Sequence, residues 1–112
     1  MRPIRYANRT VALCEGDHVL LAPEVAVLET DHPRRRFVSL MCVYSAELDS
    51  AGPAAFPYDD GDAERYARSK LIPDELFCPL ARWPDDRLAE AFGVPLEQIE
   101  SKRQDLCGRA LI

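Results

Sequence analysis

The feature that most constrains this chain is a single apolar stripe in its middle. Phe37, Leu40, Met41, Tyr44 and Leu48 recur at the spacing of one helical face, and Val38, Cys42 and Ser45 widen it. Asp31-His32-Pro33 precedes it, with Asp31 or His32 able to cap and Pro33 suited to a first helical turn. The pattern predicts a largely buried helix over 34–48, around which the rest of the chain must pack.

Before it, Val11-Ala12-Leu13-Cys14, His18-Val19-Leu20-Leu21 and Val25-Ala26-Val27-Leu28 are short apolar runs separated by Glu15-Gly16-Asp17 and Ala22-Pro23-Glu24. Such runs bounded by Gly, Pro and Asp predict two or three strands of a small antiparallel sheet over 10–28. After it, residues 49–61 carry two Pro and two Gly without a helical period, which predicts a loop. A helix is expected over 62–72, stopped by Pro73 because proline disfavours helix in the residue before it. Asp74-Glu75-Leu76-Phe77 can form a further short turn, and a helix pair is expected within 85–106, joined at Gly93-Val94-Pro95. The expected fold class is therefore α+β, a short N-terminal antiparallel sheet followed by about four helices, in one domain spanning the 112 residues.

Charge narrows the partners. The net charge is −5, with +1 over residues 1–36 and −6 over 37–112. An acidic chain is a poor non-specific nucleic-acid binder, because that affinity comes from neutralising phosphates. No apolar stretch approaches the ~20 residues of a membrane span, and no apolar core follows the basic start. The expected address is the cytoplasm. Among the basic residues only Lys70 and Lys102 are lysines, which points to a high-GC source such as an actinobacterium or its phage. Cys14, Cys42, Cys78 and Cys107 form no C-x-x-C pair and are expected to be small buried hydrophobes.

Arg34-Arg35-Arg36-Phe37-Val38-Ser39-Leu40, then Asp62-Ala63-Glu64-Arg65-Tyr66-Ala67-Arg68-Ser69-Lys70-Leu71-Ile72-Pro73, then the acidic Asp85-Asp86 before Leu88-Ala89-Glu90-Ala91-Phe92-Gly93-Val94, come in a suggestive order. Together they resemble the ImmA/IrrE family of zincin-like metallopeptidases over roughly residues 18–107. In that family a short sheet precedes a helix opening Arg-Arg-Phe-Thr-x-Ala and continuing into His-Glu-x-x-His. A later helix reads Glu-x-x-Ala-x-x-Phe-Ala-x-x-Leu-Leu-x-Pro.

The resemblance implies a zincin-like core whose motif has decayed. Aligned on Phe37, the two His become Met41 and Ser45 and the general-base Glu becomes Cys42, while Asp62, or Glu64 under a small register shift, falls at the third ligand. Two imidazoles one turn apart and a neighbouring Glu are what such a centre needs to hold zinc and deprotonate its water. The implied protein is a catalytically inactive peptidase-like scaffold without metal or other cofactor. Its partner would be another protein, such as a transcription regulator, a host factor or a toxin–antitoxin component of a phage or mobile element.

Its partner-binding residues are expected to be Arg34, Arg35 and Arg36 at a rim and Phe56 and Tyr58 in the loop, flanking Met41, Cys42, Ser45, Asp62 and Glu64. Against this, the three arginines could face solvent or pair with the acids of residues 47–64, and Met41 and Cys42 could simply fill core space. Two further readings stand. Residues 86–106 could form a helix-turn-helix for DNA, although Glu97, Glu100 and Asp105 oppose Lys102 and Arg103 there. An enzyme with rebuilt chemistry could use Cys42 as a nucleophile, which requires a nearby base or positive field. The i, i+4 spacing of Cys14 and His18 resembles a metal pair but lies in a strand-turn-strand segment.

Overall fold

The computed structural model describes residues 1–52 and 57–108. Strands β1 (Arg2–Tyr6), β2 (Arg9–Glu15) and β3 (His18–Leu21) form an antiparallel sheet in the order β1-β2-β3. Helices α1 (Pro23–Ala26), α2 (Pro33–Ala51), α3 (Asp60–Leu71), α4 (Asp74–Phe77), α5 (Asp85–Phe92) and α6 (Leu96–Gly108) follow, with one 3-10 turn at Cys78–Leu80. The architecture is α+β, and among the described residues no helix is long and apolar enough to cross a membrane.

The strands sit differently from expectation at both ends. β1 was not anticipated: Pro3, Arg2 and Arg5 interrupt its apolar character, and only Ile4 and Tyr6 are buried. It pairs with β2 through a turn in which Ala7 and Asn8 both have positive φ, 53° and 65°, the backbone of a tight right-twisted hairpin. Conversely, Val25–Leu28 is not a strand. The ladder ends where Ala22 N donates to Val11 O, and Pro23, which has no N–H to offer a ladder, starts a helical turn instead.

The central helix is capped by His32, whose Nδ1 accepts from Arg34 N at 3.1 Å, and runs a turn past the expected end to Gly52, at φ 96°. Its stripe of Phe37, Val38, Met41, Cys42 and Ser45 is buried against the inner face of the sheet, where Ile4, Tyr6, Ala12 and Cys14 point. α3 begins earlier than the pattern suggests because Asp59 accepts from Gly61 N at 2.6 Å and Asp62 N at 3.3 Å, capping it inside the expected loop.

Two apolar clusters result. One joins the sheet, α2 and the first turns of α3; the other joins Ile72, Phe77, Leu88, Val94, Ile99 and Leu106 from the C-terminal half, with Leu71 packed against both. Gly93, at φ 65°, ends α5 in the left-handed conformation, and its carbonyl accepts from Arg36 Nη1 at 3.1 Å. That bond anchors the C-terminal pair to α2.

Candidate interaction site

Met41, Cys42 and Ser45 are packed. Met41 and Ser45 are 0% exposed and Cys42 4%. A serine hydroxyl in such surroundings needs a partner, and β1 supplies it: Arg2 Nη1 donates to Ser45 Oγ at 2.6 Å. The same guanidinium forms an ion pair with Asp49 at 2.9 Å and lies 5.2 Å from the centre of the Tyr58 ring. Asp49 also accepts from Gly16 N at 3.1 Å, so one carboxylate joins the end of α2 to both hairpins.

Tyr58, in turn, donates to Asp60 Oδ1 at 2.9 Å, and that carboxylate accepts the Arg5 amide at 3.1 Å on the outer edge of β1. Burial, then the Asp60 hydrogen bond, pushes the Tyr58 phenol well above its ordinary range. Tyr58 is therefore half-buried and engaged, part of an aromatic row with Tyr44 and Tyr66 rather than an open contact. Phe56 lies outside the described residues.

Asp62 pairs with Arg65 one turn along α3. Glu64 lines a separate shallow cavity of about 280 Å³ with Arg5 and Asp60. Among the described residues no three His, Cys, Asp or Glu side chains are grouped so as to hold a metal ion. Burial, followed by the influence of the Cys14 thiol, pushes the Cys42 thiol well above its ordinary value of 9.0.

The three arginines separate. Arg34 is exposed at the helix start. Arg35 Nη1 donates to Leu28 O at 2.6 Å, and Arg36 to Gly93 O. In this way backbone carbonyls, not the acids of 47–64, hold Arg35 and Arg36 against an unfavourable helix dipole. Those acids are served from β1 and α3 by Arg2, the Arg5 amide and Arg65.

A concave, largely apolar surface lies on the other side of α2. A groove of about 410 Å³ runs between β3 and α2, walled by Val19, Leu21, Cys42, Val43 and Ala46, with Arg35 at one end. By the sheet register, Val19 lies beside Cys14 and Leu21 beside Ala12, so both belong to the inner face of the sheet, yet Val19 is 45% and Val43 42% exposed. Cys42 and Arg35 are the two anticipated site residues that this groove brings together. Val19, Leu21 and Val43 were not anticipated; the signal was present in their apolar character beside an edge strand, but only the register shows which face they share.

A second feature escaped sequence reasoning. Arg68 and Lys102, 6% and 3% exposed, lie beside a polar cavity of about 740 Å³ between the end of α3 and α6. Arg68 Nε pairs with Asp105 at 2.8 Å and Lys102 with Asp74. On α6, Arg103 is likewise engaged, by Asp85 at 2.8 Å and by the carbonyls of Ala81 and Trp83. The exposed positions of that helix are Leu96, Glu97, Glu100, Gln104, Cys107 and Gly108. Of the cysteines, Cys14 and Cys42 are buried as expected, whereas Cys78 is half-buried and Cys107 exposed.

No family model, no curated protein and no solved structure matches the chain.

Proposed function

We propose that this protein is a catalytically inactive, ImmA/IrrE-like scaffold that acts by binding another protein. The observation that carries the reading is the Arg2–Ser45 bond. On the alignment to the zincin motif, Ser45 stands at the second imidazole, and its hydroxyl is held by the Arg2 guanidinium at 2.6 Å. With Met41 fully buried and Cys42 nearly so, the motif positions serve packing in this reading.

The groove between β3 and α2 is the contact surface in this reading. It offers exposed Val19 and Val43 on a concave wall, and β3 is one of the two edge strands of the sheet. The partner would be a transcription regulator, host factor or toxin–antitoxin component, as the resemblance implies.

The alternatives draw less support. DNA binding through α5 and α6 would need free cations at the phosphate backbone, and Lys102 and Arg103 are engaged internally while Glu97 and Glu100 face outward. A Cys42 nucleophile would need a thiolate, which burial opposes.

The reading is tested by elemental analysis and hydrolysis of an unstructured protein substrate, on material purified without chelator. The expected result is substoichiometric zinc and no cleavage beyond a buffer control. One zinc per chain, or cleavage that zinc stimulates, overturns it.

A further inference from the structure

We propose that β3 pairs antiparallel with β3 of a second copy of this chain, about a two-fold axis at Leu20, making one sheet continuous through both subunits. The two edges of the sheet differ in what protects them. β1 carries Arg2, Pro3 and Arg5 and an irregular register between Ile4 and Arg5, and Asp60 accepts its Arg5 amide at 3.1 Å. Such features keep an edge strand from adding a neighbour. β3 has a regular register and neither proline, lysine nor arginine, and its Leu20 is 60% exposed.

The direction of the polar main-chain groups fixes the pairing. Ala22 N donates to Val11 O at 2.9 Å, so by alternation along the strand His18 and Leu20 also turn their amides and carbonyls to β2. Val19 and Leu21 turn theirs away from it. An antiparallel copy that keeps every side chain on its own face and stays within the strand sets Val19 against Leu21 of the second copy, and Leu21 against its Val19. Each of these pairs exchanges both main-chain hydrogen bonds, and Leu20 meets Leu20 of the second copy on the outer face. Centring the axis on Leu21 would bring in Pro23, which has no N–H, and centring it on Val19 would bring in the turn at Asp17.

Charge selects a second copy over an unrelated strand. Asp17 and Arg35 line the same groove from opposite ends: Gly16 is tied to Asp49 near the end of α2, and Arg35 to Leu28 beyond the end of β3. Antiparallel pairing reverses one groove against the other, so Asp17 of each copy comes to the Arg35 end of its neighbour. Among the described strands the edges that then remain are the two copies of β1, and assembly stops at two. The inference goes beyond the protein-binding reading and does not rest on it, because pairing uses the main chain of β3 and leaves Val43 on α2 to a further protein.

Sedimentation equilibrium of the full chain under reducing conditions, from micromolar to sub-millimolar concentration, tests the pairing. The expected species is a reversible dimer of twice the 12.6 kDa of one chain, since so short a strand makes a small interface that dissociates on dilution. Leu20→Glu, at an exposed position, sets two carboxylates across the axis and should weaken the dimer by more than about tenfold. The register is read separately by Leu20→Cys in a C78S/C107S background, which removes the two cysteines that are not buried. Opposed residues of a non-hydrogen-bonded antiparallel pair lie about 4.5 Å apart at Cα, within reach of a disulfide. Glutathione disulfide, itself reduced to two glutathiones, should therefore link two copies through position 20. His18→Cys, set against Ala22 of the second copy, should link far more slowly.

A monomer at every concentration overturns the proposal. So does a dimer that Leu20→Glu leaves intact, or linkage through His18→Cys that is faster than through Leu20→Cys. Should Leu20→Glu fail to fold, the comparison of the two thiol variants decides. A monomer that holds no zinc and cleaves no substrate overturns the pairing alone, so the two readings fail separately.

Discussion

Arg68 donates to Gln98 Oε1 at 2.7 Å inside the protein, and the other end of the same amide donates to Tyr6 Oη at 3.2 Å. Tyr6 belongs to the sheet, Arg68 to α3 and Gln98 to α6, so one buried amide ties three elements across the seam between the two apolar clusters. Tyr6 completes the chain by donating to Glu97 Oε1 at 2.5 Å. A buried network of this kind is stabilising only while every member is satisfied.

Gln98→Ala should therefore cost more than an ordinary lost hydrogen bond. It removes an acceptor from a buried guanidinium and a donor from a buried phenol, at about 2–3 kcal/mol. Urea unfolding at neutral pH measures this; a loss under about 0.5 kcal/mol would mean that the two halves do not depend on the bridge.

The pair Lys102–Asp74 predicts an asymmetry. The lysine side chain is 4% exposed and the aspartate 38%. Asp74→Ala leaves a buried ammonium without its carboxylate, at about 3 kcal/mol, whereas Lys102→Met replaces the ammonium with an apolar group and should cost about 1 kcal/mol or less. Equal losses in the two variants would contradict the burial assigned to Lys102.

Alkaline pH should destabilise the fold. Burial and then Glu97 hold the Tyr6 phenol above its ordinary 10.0, and burial and then the influence of the Cys14 thiol hold the Cys42 thiol above 9.0. The folded protein thus keeps these protons more tightly than the unfolded chain. Their contribution is fully present below the unfolded values and is lost as pH rises through 9 and 10 toward the raised folded values. Melting temperature should fall steadily between about pH 9 and 11, and Cys42→Ala should flatten the first part of that decline. A flat profile would show that neither group is held protonated by folding.

The sequence exposes the helices of this protein better than its strands or its charges. The Phe37–Leu48 stripe and the Pro73 and Gly93 stops are local signals, and the helices follow them. β1 carries two arginines and a proline in five residues, so only pairing with β2 reveals it. Val25–Leu28 has strand-forming residues, but Pro23 imposes a helical turn. Arg68 and Lys102 read as solvated charges because their counter-ions, Asp105 and Asp74, lie 37 and 28 residues away. The same distance hides the partner of Ser45, which stands 43 residues back at Arg2. The groove was out of reach for a related reason, since its walls come from an edge strand and a helix whose relative placement no spacing encodes.

The central claim, a protein contact at the β3–α2 groove, is tested most directly by site-specific photo-crosslinking in the native host. A photoreactive residue placed at Val43, which is 42% exposed on the groove wall, is compared with one at exposed Glu100 on α6. The account predicts a discrete protein adduct from position 43 that disappears with Val19→Glu, and none from position 100. An adduct from position 100 with none from position 43 would contradict it and place the contact on the C-terminal helix pair.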